Sequence, residues 1–525
     1  MTLSYKCINR LTVYCLILMS SVSLAIDIPE LSDRPQLQIN DNAIIVGQKS
    51  EDRQTESFLG VPFAQPPIGE GRWAPPRPME APTGIYKADE FPAACMQGDH
   101  ITTWYKGVAE SFGGDPQLIT HPRVNEDCLY LNIWRPVNTS DSPQVLPVIV
   151  YIHGGSNKGG WSYEPNYIGH KLSAKGIIVI SIAYRLGVFG FFSHPAIEQS
   201  NFGLLDQISA LQWVNNNIVA LGGDAQRITV MGESSGANNI DYLMTSPAGK
   251  GLFSRVIHQS GGSSLTNRGI PAVHLKVGTS FAHQAIGSNV NDPIAALRKL
   301  SAEEILTTST RVFKDHYFDP VVDGHSVLEP IMDTIKADKM HSFDLLIGSN
   351  NDEWLMYTDA QPDIDGWLER EVAEPDAAAL KQMVTNETDD RRKLDLLRTA
   401  KYYVCPSLVL ATEVSSLDRQ AWVYHFTRQR EGKLAATMGA YHGAELPYIF
   451  DTHDDWLPTV GIDHRLTNIM QSYWANFAAT GNPNQSGLAE WPRYNRDSQK
   501  VQSIGDTLYS SVHGSKPLCD FLSPN

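Results

Sequence analysis

Apolar residues in this chain gather in short, uninterrupted runs separated by polar, glycine-containing joints. Residues 146–152 (Leu-Pro-Val-Ile-Val-Tyr-Ile) and 176–183 (Gly-Ile-Ile-Val-Ile-Ser-Ile-Ala) are the clearest, and 227–231, 254–257, 343–347 and 421–426 repeat the pattern. A strand apolar at every position has no polar face, so helices must cover both sides of its sheet, and the runs predict a mostly parallel sheet. Between the second and third runs, Leu204, Leu205, Ile208, Leu211 and Ile218 recur at helical spacing, and Gly222-Gly223 end the helix expected over 202–218. Strand, helix and strand with short joints form a βαβ unit. The Pro-rich stretch 60–78 is expected to be an extended loop, and 262–342 and 358–420 to be mainly helical.

The first 25 residues follow another rule. Lys6 and Arg10 precede or open an apolar stretch over 11–19, and Ser23-Leu24-Ala25 gives a small-residue cleavage site, the layout of a secretory signal peptide. That stretch is short for a bilayer span, and no later run reaches about 18 apolar residues. Residues 1–25 are therefore expected to be removed, and the mature chain to be secreted or periplasmic and soluble, without a stable membrane anchor.

Length and composition narrow the picture further. A chain of 525 residues ordinarily divides into two or three domains, yet no linker, internal repeat or long charge run divides this one. Residues 26–525 are expected to form a single α/β domain with long insertions. The net charge of −16 disfavours nucleic acid and anionic membrane surfaces as partners. Beyond residue 25, Cys95, Cys128, Cys405 and Cys519 remain. An even number in an exported chain predicts two disulfides, with three connectivities open.

The candidate chemistry centres on Gly232-Glu233-Ser234-Ser235-Gly236, directly after the run 227–231 and before a helix-compatible stretch. Alone, G-x-S-x-G is also what a loop containing Gly and Ser yields by chance. Between strand and helix it is a nucleophile elbow, whose tight turn requires small residues two before and two after the serine. The turn lifts the hydroxyl above a helix N-terminus, where backbone N–H groups favour developing negative charge. A serine also needs a general base, a carboxylate to orient that base, and donors for the oxyanion. His153-Gly154-Gly155-Ser156, leaving the run 146–152, is close to the H-G-G-G pattern of oxyanion donors, and is otherwise a glycine turn. Glu353 just after a strand and His442 in a late loop complete the order Ser…Glu…His. Taken singly, each is ordinary among 58 acidic residues and 16 histidines. No cofactor or metal is expected.

Several further phrases carry a resemblance. They are 58–69 (Phe-Leu-Gly-Val-Pro-Phe-Ala-Gln-Pro-Pro-Ile-Gly) with Arg72-Trp73, and 126–132 (Glu-Asp-Cys-Leu-Tyr-Leu-Asn). Then come 183–187 (Ala-Tyr-Arg-Leu-Gly), 203–207 (Gly-Leu-Leu-Asp-Gln), 221–224 (Leu-Gly-Gly-Asp), 258–261 (His-Gln-Ser-Gly) and 476–484 (Asn-Phe-Ala-Ala-Thr-Gly-Asn-Pro-Asn). In this order they resemble the type-B carboxylesterase/lipase family, which includes the cholinesterases, over essentially all of 35–525. The resemblance implies the α/β-hydrolase fold and a carboxylic-ester hydrolase. It implies Ser234 as nucleophile, His442 as general base then acid, and Glu353 as the carboxylate behind it. It further implies oxyanion donors at the N–H groups of Gly155, Ser156 and Ser235, and a second buried carboxylate at Glu233. The implied disulfides are Cys95–Cys128, closing a loop over the active-site entrance, and Cys405–Cys519, with an Arg72–Glu126 ion pair bracing that loop.

The chain also departs from the family pattern. Ser156 and Ser235 stand where Gly and Ala are usual, and Trp354 follows Glu353 where Gly is usual. The loop from Cys95 to Cys128 carries Trp104 early, read as loop packing, and lacks the late Trp that holds a quaternary ammonium in cholinesterases. The expected substrate is therefore a small neutral carboxylic ester. A lipase, another specialised esterase and a non-catalytic adhesion protein of the same fold are the alternatives. Because the base must be neutral, activity is expected to fall below about pH 6.

Overall fold

Alternate residues of each apolar run face opposite sides of one sheet, and both sides are covered. In the computed structural model, which describes residues 33–40, 42–79, 83–137, 145–417 and 419–524, eleven strands form that sheet. They are β1 (Gln48–Lys49), β2 (Thr55–Pro62), β3 (Tyr130–Pro136), β4 (Leu146–Ile152), β5 (Ile178–Ile182) and β6 (Gly223–Glu233). β7 (Arg255–Gln259), β8 (Asp344–Asn350), β9 (Ala421–Phe426), β10 (Lys500–Ile504) and β11 (Leu508–Val512) complete it. The order across the sheet is β11-β10-β9-β8-β7-β6-β4-β5-β3-β2-β1. From β10 to β5 all neighbours run parallel, and the edges add antiparallel strands. The proposed signal peptide, residues 1–25, lies outside the described residues.

Val148, Val150 and Ile152 of β4 join the apolar cluster on one face, with Leu204, Ile208 and Leu211 of α2 (Phe202–Asn217; α1 is His100–Phe112) and Ile240, Leu243 and Met244 of α3 (Ser235–Thr245). Ile149 and Tyr151 join the other, with Leu466, Met470, Trp474 and Phe477 of the long helix Gly461–Thr480. This two-sided burial is what a continuous apolar run predicts. The expected helical stretches hold helices, among them Pro271–Ile286, Ala302–Val312, Ile364–Glu371, α4 (Asp390–Thr399) and α5 (Cys405–Ser416). The first residues of the expected loop 60–78 belong instead to β2. There the strand stays paired with β3: after a register shift between Phe58 and Val61, Val61 and Pro62 still face Leu131 and Tyr130.

Disulfides join Cys95 to Cys128 and Cys405 to Cys519. The first closes a segment that contains α1. At its base the Arg72 guanidinium forks onto both carboxylate oxygens of Glu126, at 2.6 and 2.5 Å, and also donates to the Leu300 carbonyl at 2.8 Å. The pair thus binds the loop to the helical region that follows Pro293–Arg298.

Candidate active site

Ser234 occupies the joint between β6 and α3 with φ 56° and ψ −127°, a backbone conformation that costs a non-glycine residue about 1–3 kcal/mol. The glycines make this turn possible by close contact. A Cβ on Gly232 would come within 2.7 Å of the Gly236 carbonyl carbon, and one on Gly236 within 2.2 Å of the Ile152 carbonyl oxygen. Both obstacles are backbone and cannot rotate aside.

The structure brings the three candidate catalytic residues together. His442 Nε2 is 2.8 Å from Ser234 Oγ, and its Nδ1 is 2.6 Å from Glu353 Oε2. The other oxygen of Glu353 accepts the Asn350 N–H at 2.7 Å, so a carboxylate 1% exposed is satisfied on both sides. The loop bearing His442 is tied to the sheet ends through Glu445. That buried carboxylate accepts from Gln259 at 2.8 Å and from Asn350 at 2.6 Å, while Asn350 also donates to the Tyr441 carbonyl at 2.8 Å. Sequence reasoning missed Glu445 as a strut, because nothing local marks a loop carboxylate as buried.

Glu233 approaches the same imidazole from the other side, with Oε1 3.2 Å from His442 Nε2. Burial pushes the Glu233 carboxyl up to about 8, against the pull of His442. Burial also pushes the His442 imidazole down, but its anionic neighbours Glu233 and Glu353 outweigh this and hold it up at about 9. The two raised values compete, since a protonated Glu233 no longer supports the imidazolium. Glu353, bonded to Nδ1, is the partner that holds it in either case.

Gly155 and Ser156 follow β4 with φ of 99° and 58°, turning the chain across the elbow. A Cβ on Gly154 would meet Glu233 Oε2 at 2.7 Å and Ser234 Cβ at 2.9 Å, which explains a glycine there. Ser235 accepts the Asn157 N–H on its Oγ at 3.1 Å. This non-family serine thereby joins the candidate oxyanion segment to the helix start. Among the described residues, none of the N–H groups of Gly155, Ser156 and Ser235 donates to a backbone carbonyl.

Above Ser234 lies a cavity of about 330 Å³ whose walls include Trp104, Glu164, Glu233, Trp354, Tyr357, Tyr403 and His442, large enough for a small ligand. Here the structure corrects the sequence reading. Trp104 packs edge-on against Tyr105, but it also faces the cavity, held by an indole bond to Tyr357 Oη at 2.7 Å. α1 turns His100, Ile101, Trp104 and Tyr105 to the cavity, which position along the loop did not reveal. Trp354 likewise serves as packing and as wall. Glu164 was not foreseen; it accepts from Tyr105 Oη and the Trp161 N–H, both at 2.8 Å, and burial pushes it up to about 7.

Among the described residues, His453, Asp454 and His464 have the spacing of metal ligands. His453 already bonds the Arg430 guanidinium and Thr467 through its two ring nitrogens, so a cation there would face a guanidinium.

Comparison with known proteins points to one family over nearly the whole chain. The carboxylesterase family matches residues 33–521. The chain is 29% identical over 516 residues to a fumonisin B1 esterase of Sphingopyxis macrogoltabida, covering 93% of this chain and 89% of that one. It is 32% identical over 470 residues to a para-nitrobenzyl esterase of Bacillus subtilis, covering 85% and 90%. A solved PNB esterase structure superposes with a TM-score of 0.80 at 27% identity, covering 94% of this chain and all of the other.

Proposed function

This chain belongs to the carboxylesterase family, with the α/β-hydrolase fold, and we propose that it is an exported serine hydrolase acting on small carboxylic esters through an acyl-serine intermediate. The observation that carries the reading is the continuous line from Ser234 Oγ through His442 to Glu353, at 2.8 and 2.6 Å. Ser234 Oγ attacks the ester carbonyl carbon while its proton passes to His442 Nε2. The negative charge that forms on the carbonyl oxygen falls to the N–H groups of Gly155, Ser156 and Ser235. The C–O bond breaks, the departing alkoxide takes the proton from Nε2, and water repeats the sequence on the acyl-serine to release the acid.

A wall of aromatic side chains supports an uncharged ester bond region. Burial raises Glu233 and Glu164 in the same wall, and Glu233 is already engaged by His442 at 3.2 Å. Export is supported by the two disulfides, which persist in oxidising compartments. Among the described residues no helix is long and apolar enough to cross a membrane. The complete triad argues against a purely adhesive role.

Purified protein should hydrolyse p-nitrophenyl esters, read along a series from acetate to palmitate. Ser234→Ala should lower turnover by about a thousandfold or more with an unchanged circular dichroism spectrum. A folded Ser234→Ala protein with near wild-type activity would sink the assignment.

A further inference from the structure

A second cavity, of about 600 Å³, adjoins the first and shares Ser156, Ser234, Tyr317, Trp354 and Tyr403 with it. Ser156, Ser234 and Ser235 line it, and His442 does not. The mechanism gives the two cavities different occupants. The departing alkoxide must receive its proton from His442 Nε2, so the alcohol lies in the cavity that His442 lines. The acyl chain is left to the second one.

That second cavity contains charge the reaction does not use. Its acidic residues are accounted for: Glu371 pairs with Lys401 at 3.0 Å, and Asp319 accepts from Asn267 at 3.4 Å while burial pushes its carboxyl up to about 6. Arg370, 62% exposed, lies 3.9 Å from Asp363. Arg398, in the last turn of α4, is half-buried, with its guanidinium 5.4 Å above the centre of the Trp354 ring. Among the described residues it has no carboxylate partner and no hydrogen-bond acceptor. A guanidinium fixed on an aromatic face keeps its planar fork of N–H donors for a ligand, and that fork matches a carboxylate. The cavity lined by His442 contains neither Lys nor Arg.

We propose that Arg398 recognises a carboxylate on the acyl part of the substrate, so that the preferred esters are monoesters of dicarboxylic or polycarboxylic acids. This rests on Ser234 and His442 acting as described above, and adds an anionic group remote from the neutral ester bond. Arg370, at the mouth, guides that anion without fixing it.

The test compares 4-nitrophenyl monoesters of adipic, suberic and sebacic acids with 4-nitrophenyl hexanoate, octanoate and decanoate, matched in acyl length, on wild type and on Arg398→Gln. Wild type should favour the anionic ester by roughly tenfold in kcat/KM at the best length, as a charge-assisted pair warrants. Arg398→Gln should lose that preference, mainly through KM, and leave the uncharged esters within about threefold. Added salt should shrink the wild-type preference, and a carboxylate placed on the alcohol instead, in 4-carboxyphenyl hexanoate, should gain nothing. Equal preference in wild type and Arg398→Gln, or a gain from the carboxylate on the alcohol, overturns the inference while leaving ester hydrolysis standing. Failure of wild type on every ester overturns both.

Discussion

At the residue scale, the site is a contest between burial and charge around one imidazole. In the proposed reaction His442 must be neutral to take the Ser234 proton, and its anionic neighbours hold it protonated up to about 9. A raised pKa leaves the base form scarce at low pH, so kcat/KM should climb as pH rises through that value. The limb expected near pH 6 from sequence therefore moves upward. Glu233, raised to about 8, titrates beside it, and the pair should show two coupled ionisations rather than one. Glu233→Gln removes one anionic neighbour from the imidazole. Its pH profile should shift to lower pH and simplify to a single ionisation; a profile superimposable on wild type would remove Glu233 from this account.

At the element scale, the elbow, the late loop and the C-terminal helix Lys516–Leu522 are each fixed by contacts distant in sequence. The disulfides differ in the chain they close, spanning 33 residues for Cys95–Cys128 and 114 for Cys405–Cys519. On the chain-entropy view they contribute about 3–4 and about 4–5 kcal/mol respectively. Both pairs are buried, so loss of packing affects them alike and the loop term decides the order. Double Cys→Ser replacement at 405 and 519 should lower the unfolding midpoint more than replacement at 95 and 128. The reverse order would show that native contacts of the α1 segment, rather than chain entropy, dominate.

At the scale of the whole molecule, one sheet holds residues from Gln48 to Val512 in a common frame, and the proposed catalytic line depends on it. Ser234, Glu353 and His442 follow β6, β8 and β9, whose intervening pairings run parallel and bring their C-terminal ends to one edge. Ligands bind at this edge of open α/β sheets generally. The molecule as proposed also needs an oxidising compartment. Protein recovered from culture medium or periplasm should begin at Ile26 on N-terminal sequencing and contain no free thiol. A chain retained inside the cell with residues 1–25 intact would contradict export.

The sequence by itself determined the parallel sheet, because runs such as 146–152 and 227–231 have no polar face to give to water. It also marked the elbow, because only glycine tolerates the contacts at positions 232 and 236. Glu353 and His442 were legible only through order and family phrases, since nothing local separates a catalytic histidine from fifteen others. β10 and the edge strand β11 escaped notice: β10 is buried past Lys500 but mixes Gln502 and Ser503 with its apolar residues, and β11 is partly exposed, so neither has the apolar run that marked the centre. Only the tertiary structure decided the rest. It turned Trp104 into a cavity wall, made Glu445 a buried strut, set Glu233 against His442, and left Arg398 without an anion. Each depends on what a side chain meets across the fold, and burial, charge pairing and desolvation exist only once distant segments are in contact.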